Sequence, residues 1–106
     1  MWKDDNDKIM EISNLLSKDD IFPKKCPICG EKDAHIFFYK KEGSKLGSLW
    51  EWCSKCKNYS HSKYLIPDWW KNNEIIDIDK IGLDLDYLDN NKVEIDKWVN
   101  ELLKNK

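Results

Sequence analysis

Two CxxC pairs in a chain of 106 residues constrain the fold more than any other feature of the sequence. The first is Cys26-Pro-Ile-Cys29, followed by Gly30, and the second is Cys53-Ser-Lys-Cys56, with 23 residues between them. Two intervening residues let both thiolates of a pair face one ion. A glycine after the pair permits the positive φ with which the chain leaves such a turn. Two pairs at this spacing predict a four-cysteine zinc site.

Two other roles for these cysteines carry less weight. A redox pair of the thioredoxin type normally opens a helix within a βαβ unit, and the residues around both pairs lack that pattern. Unliganded cysteines in a core are the second alternative. Four thiolates fill every position around a tetrahedral zinc, so such a site has no place for an activated water. We therefore expect one structural Zn²⁺.

The segment between the two pairs predicts an antiparallel hairpin. Ala34–Lys40 is aromatic and strand-like, two glycines follow it, and Leu49–Cys53 returns as a second strand. A third strand is expected over Asn58–Leu65. The alternation of side chains along a strand puts Trp50 and Trp52 on the same face.

Helical patterns flank this hairpin. The first helix is expected within residues 4–17, before Pro23, on an apolar stripe of Ile9, Ile12, Leu15 and Leu16. A final helix is expected after Asn90 or Asn91, either of which can cap it. Its apolar stripe consists of Val93, Ile95, Trp98, Val99, Leu102 and Leu103. Between them, residues 75–87 alternate apolar and acidic side chains, which predicts an extended segment.

The first cysteine pair, read as Cys-Pro-Ile-Cys-Gly, resembles the CPxCG knuckle of the zinc ribbon family, and the resemblance covers residues 24–65. In that family the cysteines of two knuckles hold one zinc at the end of a small antiparallel sheet. The resemblance implies an α+β fold, with a three-stranded antiparallel zinc-ribbon sheet flanked by an N-terminal helix and C-terminal helical elements. The second knuckle departs from the pattern, because Lys57 stands where glycine is common. The zinc ligands implied are Cys26, Cys29, Cys53 and Cys56.

The length predicts a single domain over residues 1–106. Within it, residues 1–22 hold the N-terminal helix, 23–66 the four-cysteine ribbon, and 67–106 an acidic C-terminal extension with the final helix. No apolar run approaches the roughly 20 residues that span a bilayer. The acidic N-terminus has no apolar signal segment. We therefore expect a cytoplasmic protein with no membrane partner.

The charge pattern argues against nucleic acid as a partner. All 18 basic residues are lysines, so the arginine fork that reads bases and clamps phosphates is absent. The formal net charge is −2. Residues 26–63 have a small excess of lysine, and residues 64–106 hold ten acidic residues against six lysines.

The two histidines, His35 and His61, are expected at the surface or beside the metal ligands, and a ligand or catalytic role is the lesser alternative. A core role is expected for five tryptophans: Trp50, Trp52, Trp69, Trp70 and Trp98. Exposed partner contacts and base stacking are the alternatives for them.

The sequence contains no recognisable nucleophile motif, phosphate loop or acid pair, so a non-enzymatic role is expected. The whole-chain layout is similar to small bacterial ribbon proteins, some of them immunity proteins of toxin systems. That resemblance implies a binding module that neutralises a basic toxin domain. The C-terminal part also contains a group of acidic residues, whose plainer interpretation is a solvated face. The alternative is an acidic docking surface that meets a basic partner. These residues are Asp77, Asp79, Asp84, Asp86 and Asp89. A nucleic-acid-binding ribbon of transcription-accessory type is the first alternative function, and an enzyme with a site around His61 is the second.

Overall fold

The computed structural model describes residues 2–4, 7–14, 16–82 and 85–106. The strands are β1 (Lys3–Asp4), β2 (Lys24–Lys25), β3 (Lys32–Lys40), β4 (Leu46–Cys53) and β5 (Asn58–Leu65). Two 3-10 helices cover Ile9–Ser13 and Ile78–Lys80, and two α-helices follow, α1 (Asp86–Asn90) and α2 (Lys92–Lys104).

The strands form one five-stranded mixed sheet in the order β1-β5-β4-β3-β2. The three-stranded antiparallel sheet expected from the zinc ribbon resemblance is therefore wrong. β2 adds antiparallel to β3, and β1 adds parallel to β5 through Lys3 opposite Asn58. Each added strand has only two residues, and both are charged, so neither produces the alternation that identifies a strand in a sequence.

The central hairpin was predicted correctly. β3 and β4 pair antiparallel with Phe37 opposite Trp50 and Tyr39 opposite Ser48, and β5 continues the ladder with His61 opposite Trp50. Five residues connect β3 to β4, including Gly43 at φ +74°. Because side chains alternate along a strand, this register places Trp50 and Trp52 on one face, as expected.

Both faces of the sheet are covered, and the core therefore lies on both sides of it. One face, here named the helical face, carries His35, Phe37, Trp50 and Trp52 beneath α1 and α2. The opposite face packs against the 3-10 helix Ile9–Ser13 and carries Ala34, Ile36, Phe38, Leu49 and Glu51. All nine of these side chains are buried. Burial on both faces explains the nearly continuous apolar runs of the central strands.

The α-helix expected within residues 4–17 is wrong, since the chain forms only the five-residue 3-10 helix Ile9–Ser13 there. Asp4 belongs to β1 instead, and Asn14 is extended at φ −71° and ψ 134°, which ends the helix. Of the predicted stripe, Ile9 and Ile12 are buried, Leu16 is half-buried, and Leu15 lies outside the described residues. An apolar stripe this short fits one 3-10 turn as well as an α-helix.

The final helix is confirmed, and Ile95, Val99, Leu102 and Leu103 form its buried stripe. Val93 is an exception, with 67% of its surface exposed. Asn91 occupies the N-cap position as expected, but its side chain donates to the Tyr87 carbonyl at 2.7 Å and makes no cap bond. The extended segment over residues 75–87 is also wrong in part, because it contains the second 3-10 helix and the start of α1.

The expected core role is confirmed for Trp50, Trp52 and Trp70, each with at most 5% of its surface exposed. Trp69 and Trp98 are half-buried at the edge of the core.

Asn72 closes the β3 edge that β2 leaves open: its amide accepts from the Lys40 N–H at 2.8 Å and donates to the Lys40 carbonyl at 2.9 Å. Among the helices that the structure describes, none combines the length and the apolar composition needed to cross a bilayer.

Replacing Gly47 with alanine tests the close packing of β3 on β4. A Cβ at this position would lie 1.9 Å from the Tyr39 carbonyl oxygen and 2.9 Å from Ile66 Cγ1, so the strands would have to move apart. We expect Gly47→Ala to lower the free energy of unfolding by about 2 kcal/mol or more. Gly82→Ala is the control, since a Cβ there meets nothing within 4 Å. Urea unfolding gives the free energy of unfolding of both variants. Equal losses in the two would contradict this packing.

Candidate metal centre

The fold brings the four cysteines together at one end of the sheet. Cys26 and Cys29 lie in the turn between β2 and β3, while Cys53 ends β4 and Cys56 lies in the turn before β5. Pairing of Ala34 with Cys53 sets the second turn beside the first. The four sulfur atoms all lie within 4.8 Å of one another. The residues predicted from sequence as one site are thus adjacent in space.

The two turns have the same backbone construction. The Gly30 N–H donates to the Cys26 carbonyl, and the Lys57 N–H donates to the Cys53 carbonyl, both at 3.0 Å. The residue after each pair is left-handed, with φ +82° at Gly30 and +64° at Lys57. The positive φ expected at Gly30 is confirmed. At Lys57 the same turn forms in spite of the Cβ, so the departure from the family pattern has not changed the geometry.

Backbone N–H groups point at the first sulfur of each turn. The amides of Ile28 and Cys29 donate to Cys26 Sγ at 3.3 and 3.5 Å. The amides of Lys55 and Cys56 donate to Cys53 in the corresponding way. Hydrogen bonds of this kind favour the thiolate over the thiol, and a thiolate is the form that binds a metal.

The sulfur separations fit a zinc ion. Cys26 Sγ lies 3.7 Å from Cys56 Sγ, and Cys29 Sγ lies 3.7 Å from Cys53 Sγ. A tetrahedron with Zn–S bonds of about 2.3 Å places its sulfurs about 3.8 Å apart. The separations are also far too long for a disulfide, whose S–S bond is about 2.0 Å. The donor set and its spacing therefore suit one tetrahedral ion with four thiolate ligands.

The thiols differ in their environments. Burial raises the pKa of Cys26 and Cys53, the two buried cysteines, above the ordinary value. Burial also acts on Cys56, but the side chain and backbone N–H of Asn58 oppose it and bring the pKa down to about 7. The Asn58 amide lies 3.1 Å from Cys56 Sγ. A bound cation would supply the charge that lets the two buried thiols ionise.

His35 links the second cysteine turn to α2 in the interior. Its Nε2 lies 2.9 Å from Ser54 Oγ and 3.0 Å from Asp33 Oδ1, and its Nδ1 lies 2.8 and 2.9 Å from the two oxygens of the Asp96 carboxylate. Ser54 in turn donates to Asp89 on α1. His35 is 1% exposed. This network ties the second cysteine turn to both C-terminal helices.

The two helix carboxylates of this network, Asp96 and Asp89, have pKa values shifted in opposite directions. Burial raises the pKa of Asp96 more than the hydrogen bond from His35 lowers it. Burial also raises that of Asp89, but donors from Ser54 and Trp52 together with the Lys57 ammonium, 3.5 Å away, bring its pKa below the ordinary value. Asp89 is therefore half-buried and hydrogen-bonded to these groups, and it is not part of an exposed acidic face.

The order Asp96, His35, Ser54 has the connectivity of a hydrolytic triad, and two features oppose that chemistry. The Ser54 hydroxyl donates its hydrogen bond to Asp89, which leaves it only an acceptor toward His35 Nε2, so the histidine is not placed as its base. Both residues are buried, with 1% and 9% of their surfaces exposed, so a substrate carbonyl could not reach Ser54 Oγ. The arrangement suits a structural link better than a nucleophile.

His61 lies on β5, outside the cysteine cluster. Its ring stacks on Trp50 with centroids 4.3 Å apart and an interplanar angle of 11°. Burial lowers the pKa of His61, which favours the neutral ring. Of the two histidines, His61 thus fits the expected surface role, and His35 contacts the second cysteine turn through Ser54.

Sequence reasoning missed the residues that surround His35. Asp33, Ser54, Asp89 and Asp96 are polar residues in an acidic chain, and a solvated surface is the ordinary expectation for each. The position of Ser54 is one signal in the sequence: it directly follows Cys53 in a CxxC turn and therefore has to lie near the cysteine cluster. The position of Asp96, beside Ile95 on the buried side of α2, is a second signal that a charge there needs a partner.

Comparisons with protein-family models, with curated proteins and with solved structures give no match to this chain. Its function therefore has to be inferred from its own residues.

Substitution of the two histidines tests the buried link. His35→Leu removes the donors to buried carboxylates, and we expect a loss of about 3 kcal/mol in the free energy of unfolding. His61→Leu removes a partly exposed stacked ring and should cost about 1 kcal/mol or less. The double variant His35→Leu with Asp96→Leu should lose less than the sum of its single variants, because no unpaired carboxylate stays buried. Chemical denaturation of the set checks this, and additive losses would contradict a direct link.

Proposed function

We propose that the four cysteines bind one structural Zn²⁺ and that the protein is a non-catalytic module that binds another protein. The closed set of four thiolates, with sulfur pairs 3.7 Å apart, is the observation that carries the proposal. A zinc with four protein ligands has no open position for water or substrate. Its contribution is then to hold the sheet and the helices attached to it.

The proposed partner surface is a groove between α2 and the segment before the second 3-10 helix. Its lining consists of Asn73, Ile75, Glu94, Lys97, Trp98 and Glu101, around a cavity of about 210 Å³. Ile75 is 69% exposed, and the Trp98 ring is fixed by its N–H, which donates to the Lys71 carbonyl at 2.8 Å. A fixed tryptophan beside an exposed apolar side chain is typical of an interface centre.

The charge around this groove favours a basic partner. Glu94 and Glu101 flank Trp98 on α2, and Lys97 is the one basic residue of the lining. The neighbouring segment 71–80 exposes three acidic residues, Glu74, Asp77 and Asp79, against two lysines, Lys71 and Lys80. Complementary charge of this kind speeds association and selects the partner. We propose a basic toxin domain as that partner, neutralised in the manner of an immunity protein.

Metal removal tests the structural role of the ion. We expect the purified protein to hold one zinc per chain and to lose its sheet when a strong chelator removes the ion. Structural zinc contributes about 10 kcal/mol or more to the folding of small domains. Elemental analysis and far-ultraviolet circular dichroism give the two readouts, and added Zn²⁺ should restore the spectrum. A zinc-free chain with the unchanged spectrum would contradict the proposal, and Cys29→Ser should reproduce the chelated state.

Coexpression with the product of the adjacent gene tests the partner. If that product is toxic, we expect the intact protein to abolish its toxicity and to form a complex with it. The double variant Glu94→Lys with Glu101→Lys should lose the protection by reversing the charge of the groove. Glu11→Lys with Asp19→Lys makes the same change in net charge at exposed positions elsewhere and should retain it.

Two outcomes would contradict the partner proposal. One is a neighbour that stays toxic in the presence of the folded, zinc-loaded protein. The other is retardation of nucleic acid at moderate salt with a steep dependence on salt concentration, which would favour a nucleic-acid-binding role.

A further inference from the structure

A second feature lies at the other end of the helical face, away from the cysteines. A cleft of about 590 Å³ opens there, and small-molecule sites generally have volumes of about 300 to 1,000 Å³. Its lining consists of Tyr39, Lys41, Ser44, Leu46, Gly47, Ser48, Trp50, Lys63 and Ile78. None of these residues takes part in the metal centre or in the groove beside α2.

The register of the sheet builds the floor of this cleft. Tyr39, Ser48 and Lys63 lie directly opposite one another on β3, β4 and β5, so they form one row across the three strands. The next row towards the cysteines contains Trp50, which closes that end of the cleft. Ile78, on the second 3-10 helix, forms a wall. The row thus lies on three paired strands of the sheet.

The polar groups of the cleft are suited to an anion. Its two charged residues, Lys41 and Lys63, are both cationic, in a chain whose formal net charge is −2. Neither lysine forms an ion pair within the part of the chain that the structure describes. Ser44 Oγ accepts from the Leu46 N–H at 3.1 Å, which leaves its own proton to donate. Two ammonium groups together with hydroxyl donors match an acceptor-rich group such as a phosphate.

The rest of the lining is apolar. Leu46 is 54% exposed, and it joins Ile78, Trp50 and the ring of Tyr39 around the same cleft. A phosphate alone would leave these side chains in contact with water. A ligand that also carries a flat ring would cover them and gain the hydrophobic contribution of the buried area.

From these observations we propose that the cleft binds a small molecule that joins a phosphate group to a flat ring, of the size of a nucleoside monophosphate. The phosphate contacts Lys41 and Lys63, and the ring packs against Leu46 and Ile78. This site is independent of the proposed protein partner, because it lies on different residues.

Titration of the ¹⁵N-labelled, zinc-loaded protein with adenosine 5′-monophosphate tests the proposal. We expect saturable shifts of the backbone amides of Tyr39, Ser48 and Lys63. Adenosine and inorganic phosphate each offer half of the ligand and should bind at least about tenfold more weakly, a difference of about 1.4 kcal/mol. Shifts confined to other parts of the protein, or no saturable shift, would overturn the proposal.

A matched pair of double variants separates a site from general charge attraction. Lys41→Gln with Lys63→Gln should lower the affinity for adenosine 5′-monophosphate about tenfold or more, with the remaining amide spectrum unchanged. Lys32→Gln with Lys104→Gln makes the same change in net charge at exposed positions outside the cleft and should bind as the parent does. Equal affinities of the two variants would overturn the proposal. So would tighter binding of a single-stranded oligonucleotide whose contacts extend beyond the cleft.

Discussion

The meeting of four cysteine sulfurs at one end of the sheet is the constraint on which the rest of this structure depends. Two of them come from the turn before β3 and two from the turn between β4 and β5. One ion would therefore join the start of β3 to the connection between β4 and β5. Both turns have the same left-handed exit, although only one of them has a glycine there, and a shared ion would require this geometry of both.

The His35 network extends the influence of this centre into the C-terminal helices. Ser54 is part of a cysteine turn, and through His35 and Asp89 it is connected to α2 and α1. Ser54 thus gives the second cysteine turn a contact with Asp89 on α1 and, through His35, with Asp96 on α2. On this account, loss of the ion would loosen the helices as well as the sheet. The groove around Trp98 on α2 would then depend on a metal that it does not touch.

Much of the central fold could be predicted from the sequence because its signals are local. CxxC spacing predicts two turns, alternation predicts the strands of the hairpin, and a stripe from Ile95 to Leu103 predicts α2. The two-residue edge strands could not be predicted, since their pairing is set by tertiary contacts of charged residues that carry no pattern. The same limit applies to the Asn72 side chain that closes the edge of β3, and to the pairing of His35 with Asp96, 61 residues away.

X-ray absorption spectroscopy at the zinc edge measures the central claim most directly. We expect the zinc-loaded protein to show four sulfur neighbours at about 2.3 Å and no nitrogen or oxygen neighbour. A shell with fewer than four sulfurs, or with a nitrogen or oxygen ligand in place of one of them, would contradict a closed four-thiolate centre.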